Sequence, residues 1–192
     1  MASCPRNGLE VGVLSSGDAL SFFVAVDLDD PVRAQVAALL ERGAELVEAK
    51  WLPPQKLHVT LQYLGHPAPE VLEALVPKLE ALAQGRAPFS LSVGGTGLFQ
   101  TRRAPSVLWL GVRGALSALA SLQQAVAAAW GHPDDKPFVP HLTLARGRGP
   151  ETLDEAAREL AAFSSAVFVV DAVTLYESKD HLYRIVRKVG FS

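Results

Sequence analysis

Apolar and polar positions alternate strictly in two short stretches of this chain, Leu57-His58-Val59-Thr60-Leu61 and Pro140-His141-Leu142-Thr143-Leu144. A period of two belongs to a half-buried β-strand, whose successive side chains leave opposite faces. His58 and Thr60 therefore share one face, and Leu57, Val59 and Leu61 share the other. His141 and Thr143 are set against Leu142 and Leu144 in the same way. Upstream, Ser21 to Leu28 is an apolar run suited to a buried strand. Asp30 then caps a helix before Pro31, and Val32, Val36, Leu39 and Leu40 recur at helical spacing until about Gly43. Trp51-Leu52-Pro53-Pro54-Gln55 is a stiff connector whose prolines exclude a central strand. It delivers the chain to the first His-x-Thr strand, which closes at Gly65. A second helix is predicted from Pro69 to Ala83, kinked at Pro77. Phe89, Leu91 and Val93 then alternate as a strand into Gly94-Gly95-Thr96-Gly97. That cluster lacks the Lys-Ser/Thr ending of a phosphate-binding loop and opens no helix, so it is read as a turn or bulge.

From Ser106 the same order of elements returns. A strand from Ser106 to Val112 leads to a helix from Ala115 to Trp130, then through Pro137 and Pro140 to the second His-x-Thr strand. A helix from Leu153 to Ala162, a strand from Val167 to Leu175 and a last strand from His181 to Val189 complete the pattern. His58 lies 37 residues after Ser21, and His141 lies 35 after Ser106. The chain thus reads as an internal duplication of strand, helix, His-strand, helix, strand. A pseudo-two-fold relation would set the two His-strands side by side across a cleft. Residues 1–19 show little periodicity and read as a flexible leader. Residues 20–192 read as a single domain with two lobes, roughly 20–100 and 101–192.

Composition narrows the class. At 192 residues and 49% hydrophobic content the chain has ample material for a core. Cys4 is the single cysteine, which excludes an intramolecular disulfide and a cysteine-based zinc site and fits a reducing cytoplasm. No apolar run is as long as a membrane span, and the first twenty residues do not have the pattern of a signal peptide. A net charge of −2 argues against coating long nucleic acid. The charge is uneven, with 7 Lys/Arg against 11 Asp/Glu in residues 1–100 and 11 against 9 thereafter. A short anionic ligand held by a few local cations is compatible with this.

Each His-x-Thr strand presents an imidazole, which exchanges protons near neutrality, beside a hydroxyl that both donates and accepts. A single copy is the mark of an ordinary satisfied histidine; two copies in matched surroundings point to paired acid–base chemistry. Arg146 falls on the opposite face from His141 in a regular strand, and a bend after Leu144 would return it. Lys136, Arg102 and Arg103 are either contacts to such an anionic ligand or solvated loop charges. Phe138 either stacks on a ligand ring or lies in the core. His66, His132 and His181, outside the repeat, read as surface or structural.

These residues resemble the two-histidine (2H) phosphoesterases, and among them the LigT-like bacterial and archaeal RNA 2′,3′-cyclic phosphodiesterases, first described as 2′-5′ RNA ligases. The resemblance runs over roughly residues 20–192. It rests on Trp51-Leu52-Pro53-Pro54, His58-Val59-Thr60-Leu61-Gln62-Tyr63-Leu64-Gly65, Val107-Leu108-Trp109-Leu110-Gly111-Val112 and Phe138-Val139-Pro140-His141-Leu142-Thr143-Leu144-Ala145-Arg146. Tyr63 stands where the family often has Phe. The resemblance implies a bilobed α+β fold, two antiparallel sheets forming a central groove with helices outside. It implies a hydrolase that opens the 2′,3′-cyclic phosphate at RNA 3′ ends to a 2′-phosphomonoester. His58 would be the proton donor and His141 the proton acceptor, with Thr60 and Thr143 on the non-bridging oxygens. Arg146, Phe138 and Lys136 would serve in substrate binding. No metal or other cofactor, no membrane and no obligate protein partner are expected, and the chain is expected to be a cytoplasmic monomer. Two other activities stay open: joining RNA ends through a 2′-5′ linkage, the microscopic reverse, and RNA or nucleotide binding without turnover.

Overall fold

The structure is a computed structural model and describes residues 20–101, 104–132, 137–148, 152–180 and 182–192. Strand β1 (Ser21–Asp27) is buried along its middle, as a continuous apolar run requires. Helix α1 (Asp30–Leu46) follows, and its cap is Asp29 rather than Asp30: the Asp29 carboxylate accepts the Val32 amide at 2.9 Å. A capping side chain reaches the amide two or three residues on, and Val32 stands at that distance from Asp29. The helix continues past Gly43, whose bare Cα lies under the Trp51 indole; an added Cβ would come within 2.1 Å of that ring. Strand β2 (Lys50–Trp51) and a 3-10 turn at Pro54–Lys56 lead into β3 (His58–Gly65). Helix α2 (Pro69–Ala83) is continuous across Pro77.

Strand β4 (Phe89–Thr101) runs straight through the glycine cluster. A register shift between Gly94 and Thr96, with Gly95 at φ +67, makes the cluster a β-bulge inside one strand. Next come β5 (Ala104–Gly114), α3 (Leu116–Trp130), β6 (His141–Arg146) and α4 (Asp154–Glu159). Helix α4 is shorter than the expected 153–162, because the chain turns at Leu160, whose carbonyl accepts the Phe163 amide at 3.1 Å. The apolar run read as one strand from Val167 to Leu175 is two, β7 (Phe168–Val170) and β8 (Ala172–Lys179), and β9 (Leu182–Gly190) closes the chain. Periodicity carries no information about partners: β7 pairs with β4, whereas β8 pairs with β1 and β9.

Among the described residues nine strands form one antiparallel sheet in the order β7-β4-β5-β6-β3-β1-β8-β9, with β2 beside β6. The order is two-fold symmetric about β6 and β3, whose contact is the pair Val59 and Leu142. Two four-stranded sheets therefore meet at the two His-strands. The division does not follow the expected boundary near residue 100. β4 pairs with β5 up to Thr101 and Ala104, as a short connection between antiparallel strands favours. In return β8 and β9 join β1 and β3, so each half of the sequence completes the other half's sheet. Asp171 alone links β7 at one end of the order to β8 near the other. Neighbouring Cα atoms are only about 3.8 Å apart, so the sheet must curl. One face is apolar: Val59, Leu61, Leu142 and Leu144 join Leu119 and Leu122 of α3 and Leu75 and Leu79 of α2 in the core. Helix α3 packs on β3 and against α2, while α2 lies against β8 and β9. The opposite face carries the histidines. No helix among the described residues is long and apolar enough to cross a membrane.

Candidate active site

Leu57 and Val59 anchor the start of β3 in the core, which turns His58 to the other face, where it is half-buried. Its Nδ1–H donates to the Lys56 carbonyl at 2.7 Å, and Nε2 lies 3.0 Å from Thr60 Oγ1. A carbonyl oxygen only accepts, so the proton of the neutral ring sits on Nδ1 and Nε2 keeps its lone pair. His141 repeats the arrangement, its Nδ1–H donating to the Val139 carbonyl at 2.8 Å. In both copies the backbone two residues upstream selects the tautomer. A phenyl ring supports each imidazole: Phe23 stacks on His58 at 4.7 Å, and Phe99 meets His141 edge-on at 4.9 Å.

His58, Thr60, His141 and Thr143 line a single groove of about 330 Å³. Continuing the register of Val59 and Leu142 sets His58 across from Thr143 and Thr60 across from His141. The groove also receives Lys50, Lys56 and Arg146, together with Tyr63 and Tyr183, and no carboxylate is among the described residues lining it. Two lone-pair nitrogens, two hydroxyls and three cations can hold an anion and move protons on either side of it.

Arg146 reaches the groove because β6 is bulged. Leu144 and Ala145 are both buried, and the register with β5 slips there, so the alternation reverses before Arg146. The bend after Leu144 is thus a β-bulge. β3 carries its counterpart: Leu61 and Gln62 are both buried, and the register with β1 slips between Val24 and Ala25. Tyr63, five residues after His58, is thereby brought into the groove at the position matching Arg146.

Burial lowers the His58 pKa to about 4, against the opposing pull of the Lys56 carbonyl and the Asp27 carboxylate; His141 and Arg33 lower it further. His58 by itself is therefore neutral at neutral pH. Asp27, the register partner of His58 on β1, accepts from Thr174 at 2.8 Å and from the Tyr176 hydroxyl at 2.6 Å. Desolvation and then Asp27 push the Tyr176 pKa upward. Burial and the charge of Lys50 lower that of Lys56, whose Nζ stands 4.8 Å over the Tyr183 ring. Tyr183 is shifted upward by burial, an effect opposed by Arg146.

Phe138 packs against the core and does not line the groove, so of its two readings the core one fits. Lys136, Arg102, Arg103 and His181 lie outside the described residues. His66 and His132 are exposed, the first bonded to the Leu20 carbonyl and the second edge-on to Trp130. Sequence reasoning missed Lys50, Lys56, Tyr183 and Asp27. The proximity of Lys56 to His58 in sequence was the one available signal; strand pairing alone brings the other three to the site.

The fold is shared with solved structures. It superposes on that of TT0787 from Thermus thermophilus with a TM-score of 0.70 at 28% identity, covering 89% of this chain and 97% of that one. Apo LigT of Escherichia coli, at 21% identity, shows the same fold with a TM-score of 0.68, covering 91% and 99%. Residues 27–182 match the family model of the 2'-5' RNA ligase superfamily, and the chain belongs to that family. Among curated relatives, an RNA 2',3'-cyclic phosphodiesterase of Archaeoglobus fulgidus is 34% identical over 139 residues, 70% of this chain and 78% of that protein. Another of that name, from Geobacillus stearothermophilus, is 33% identical over 164 residues, 82% of this chain; the match spans 52% of that relative's length.

Proposed function

We propose that this chain is an RNA 2′,3′-cyclic phosphodiesterase acting through its two histidines without a metal. The observation that carries the reading is the pair of imidazoles, each held in the Nδ1–H tautomer by the carbonyl two residues upstream, in one groove with two threonines and three cations. Relatives bearing that activity in their names support it. His141 Nε2 takes the proton of a water attacking phosphorus. The bond from phosphorus to the ribose O3′ breaks, and His58 gives that oxygen its proton, leaving a 2′-phosphomonoester. Acid and base each contribute about 10²–10⁴-fold in such reactions. Thr60, Thr143 and Arg146 hold the non-bridging oxygens as charge builds on them.

His58 has to carry a proton to do this, although burial disfavours its charged form. The cyclic phosphate supplies the remedy: an anion against a desolvated imidazole favours the charged form. Substrate binding thus arms the acid. The bound partner is the 3′ end of RNA or a short oligonucleotide bearing the cyclic phosphate, and the chain acts as a cytoplasmic monomer. The decisive experiment incubates the protein with 2′,3′-cyclic AMP in excess chelator and identifies the product. Release of 2′-AMP with undiminished turnover is expected. No hydrolysis, or hydrolysis restored only by added zinc or manganese, would overturn the reading.

A further inference from the structure

Three cations share one end of the groove, and no carboxylate is among the described residues lining it. Lys50 and Arg146 are direct partners across the β2–β6 pair, an arrangement that is destabilising for like charges. Lys50 also lies near enough to Lys56 to disfavour its charge. Among the described residues no ion pair joins any of the three to a carboxylate; the ion pairs found there are Arg184–Glu177 and Arg187–Glu80, both elsewhere. Mutual repulsion kept in place at a groove wall marks a site whose counter-charge arrives with the ligand. A cyclic phosphate brings a single negative charge, too little for three cations.

The position of this cluster has a direction. Lys56 is two residues from His58 and gives its carbonyl to that ring, and Lys50 and Arg146 stand at the end of β6 remote from His141. The cluster therefore flanks His58. Resting on the hydrolase reading, in which His58 protonates the ribose O3′, the terminal ribose lies on the same side. From that ribose the RNA chain continues through O5′ to its next phosphodiester.

We propose that Lys50 and Lys56, beside Arg146, form a second anion subsite that takes the phosphodiester preceding the terminal nucleotide, making cyclic-ended oligonucleotides the preferred substrate class over cyclic mononucleotides. Lys56 is steadied for this by the Tyr183 ring beneath its ammonium group, a cation–π contact.

The test compares kcat/KM of the full chain for 2′,3′-cyclic AMP and for the dinucleotide ApA ending in a 2′,3′-cyclic phosphate. One charge-assisted phosphate contact predicts a preference of about tenfold for the dinucleotide, expressed mainly in KM and declining with salt. In Lys50→Gln/Lys56→Gln the preference should collapse to about twofold or less. Lys50→Gln alone should raise the Tm of the ligand-free protein, because the repulsion across β2 and β6 is relieved; this also shows that the variant is folded. Equal kcat/KM for the two substrates in the wild type, or a preference that survives in the double variant, overturns the subsite. Failure of the wild type on both substrates overturns the hydrolase reading beneath it.

Discussion

At the scale of single residues, the two histidines share a motif and a tautomer yet stand in different surroundings. His58 lies between Phe23, Tyr176 and Tyr183, whereas His141 meets Phe99 and Trp109. Removing either by His58→Ala or His141→Ala should lower kcat about 10²-fold or more. The double variant should lose far less than the product, since the pair acts as one unit; steady-state kinetics on 2′,3′-cyclic AMP checks both. The burial of His58 makes the stability of the fold depend on pH. Its pKa falls from 6.5 to about 4 on folding, so the unfolded chain binds the extra proton first. The stabilisation is whole above pH 6.5 and is lost as pH falls from there through 4, on the order of 2–3 kcal/mol. Urea unfolding at pH 7 and pH 4 should show a smaller acid loss in His58→Gln than in the wild type by that difference. Equal losses would mean the ring is not desolvated. The faces of His58, Thr60, His141 and Thr143 were legible from alternation. The position of Asp27 beside His58 was not, because the register of β1 on β3 creates it.

At the scale of elements, the connector from α1 to β3 aims the first histidine. Arg33 of α1 donates to the carbonyls of Pro54 at 2.7 Å, Leu57 at 3.1 Å and Leu28 at 3.2 Å. These bonds bracket the turn whose Lys56 carbonyl selects the His58 tautomer. Arg33→Lys keeps the charge but cannot span three carbonyls with one ammonium group. It should cost about 1–3 kcal/mol of stability and lower kcat/KM as the turn loosens, measured by denaturant unfolding and kinetics on the same preparation. A variant unchanged in both would assign the turn's order to its prolines alone. Element type was largely readable from period and proline placement. The bulges in β3 and β6 were only partly so: adjacent apolar residues at Leu144 and Ala145 hint at a break in alternation, while at Leu61 and Gln62 a buried glutamine hides it.

At the scale of the whole molecule, the exchange of strands between the two halves is the organising fact. β4 completes the sheet of β5 and β6, and β8 completes that of β1 and β3. Residues 1–102 and 103–192 expressed separately should each be unfolded by circular dichroism, since each then lacks a strand its own sheet needs. Mixed or co-expressed, they should assemble and recover hydrolysis; two fragments folded independently would contradict this architecture. By itself the sequence determined the two His-x-Thr strands, their polar faces, the order of helices around them and the family they belong to, because local periodicity and short motifs carry those. The tertiary structure decided which half owns which strand, how Asp171 bridges the curled sheet, and which lysines and tyrosines reach the groove. Those depend on pairing between residues as far apart as Ser21 and Ser178, and strand periodicity is the same whichever partner a strand finds.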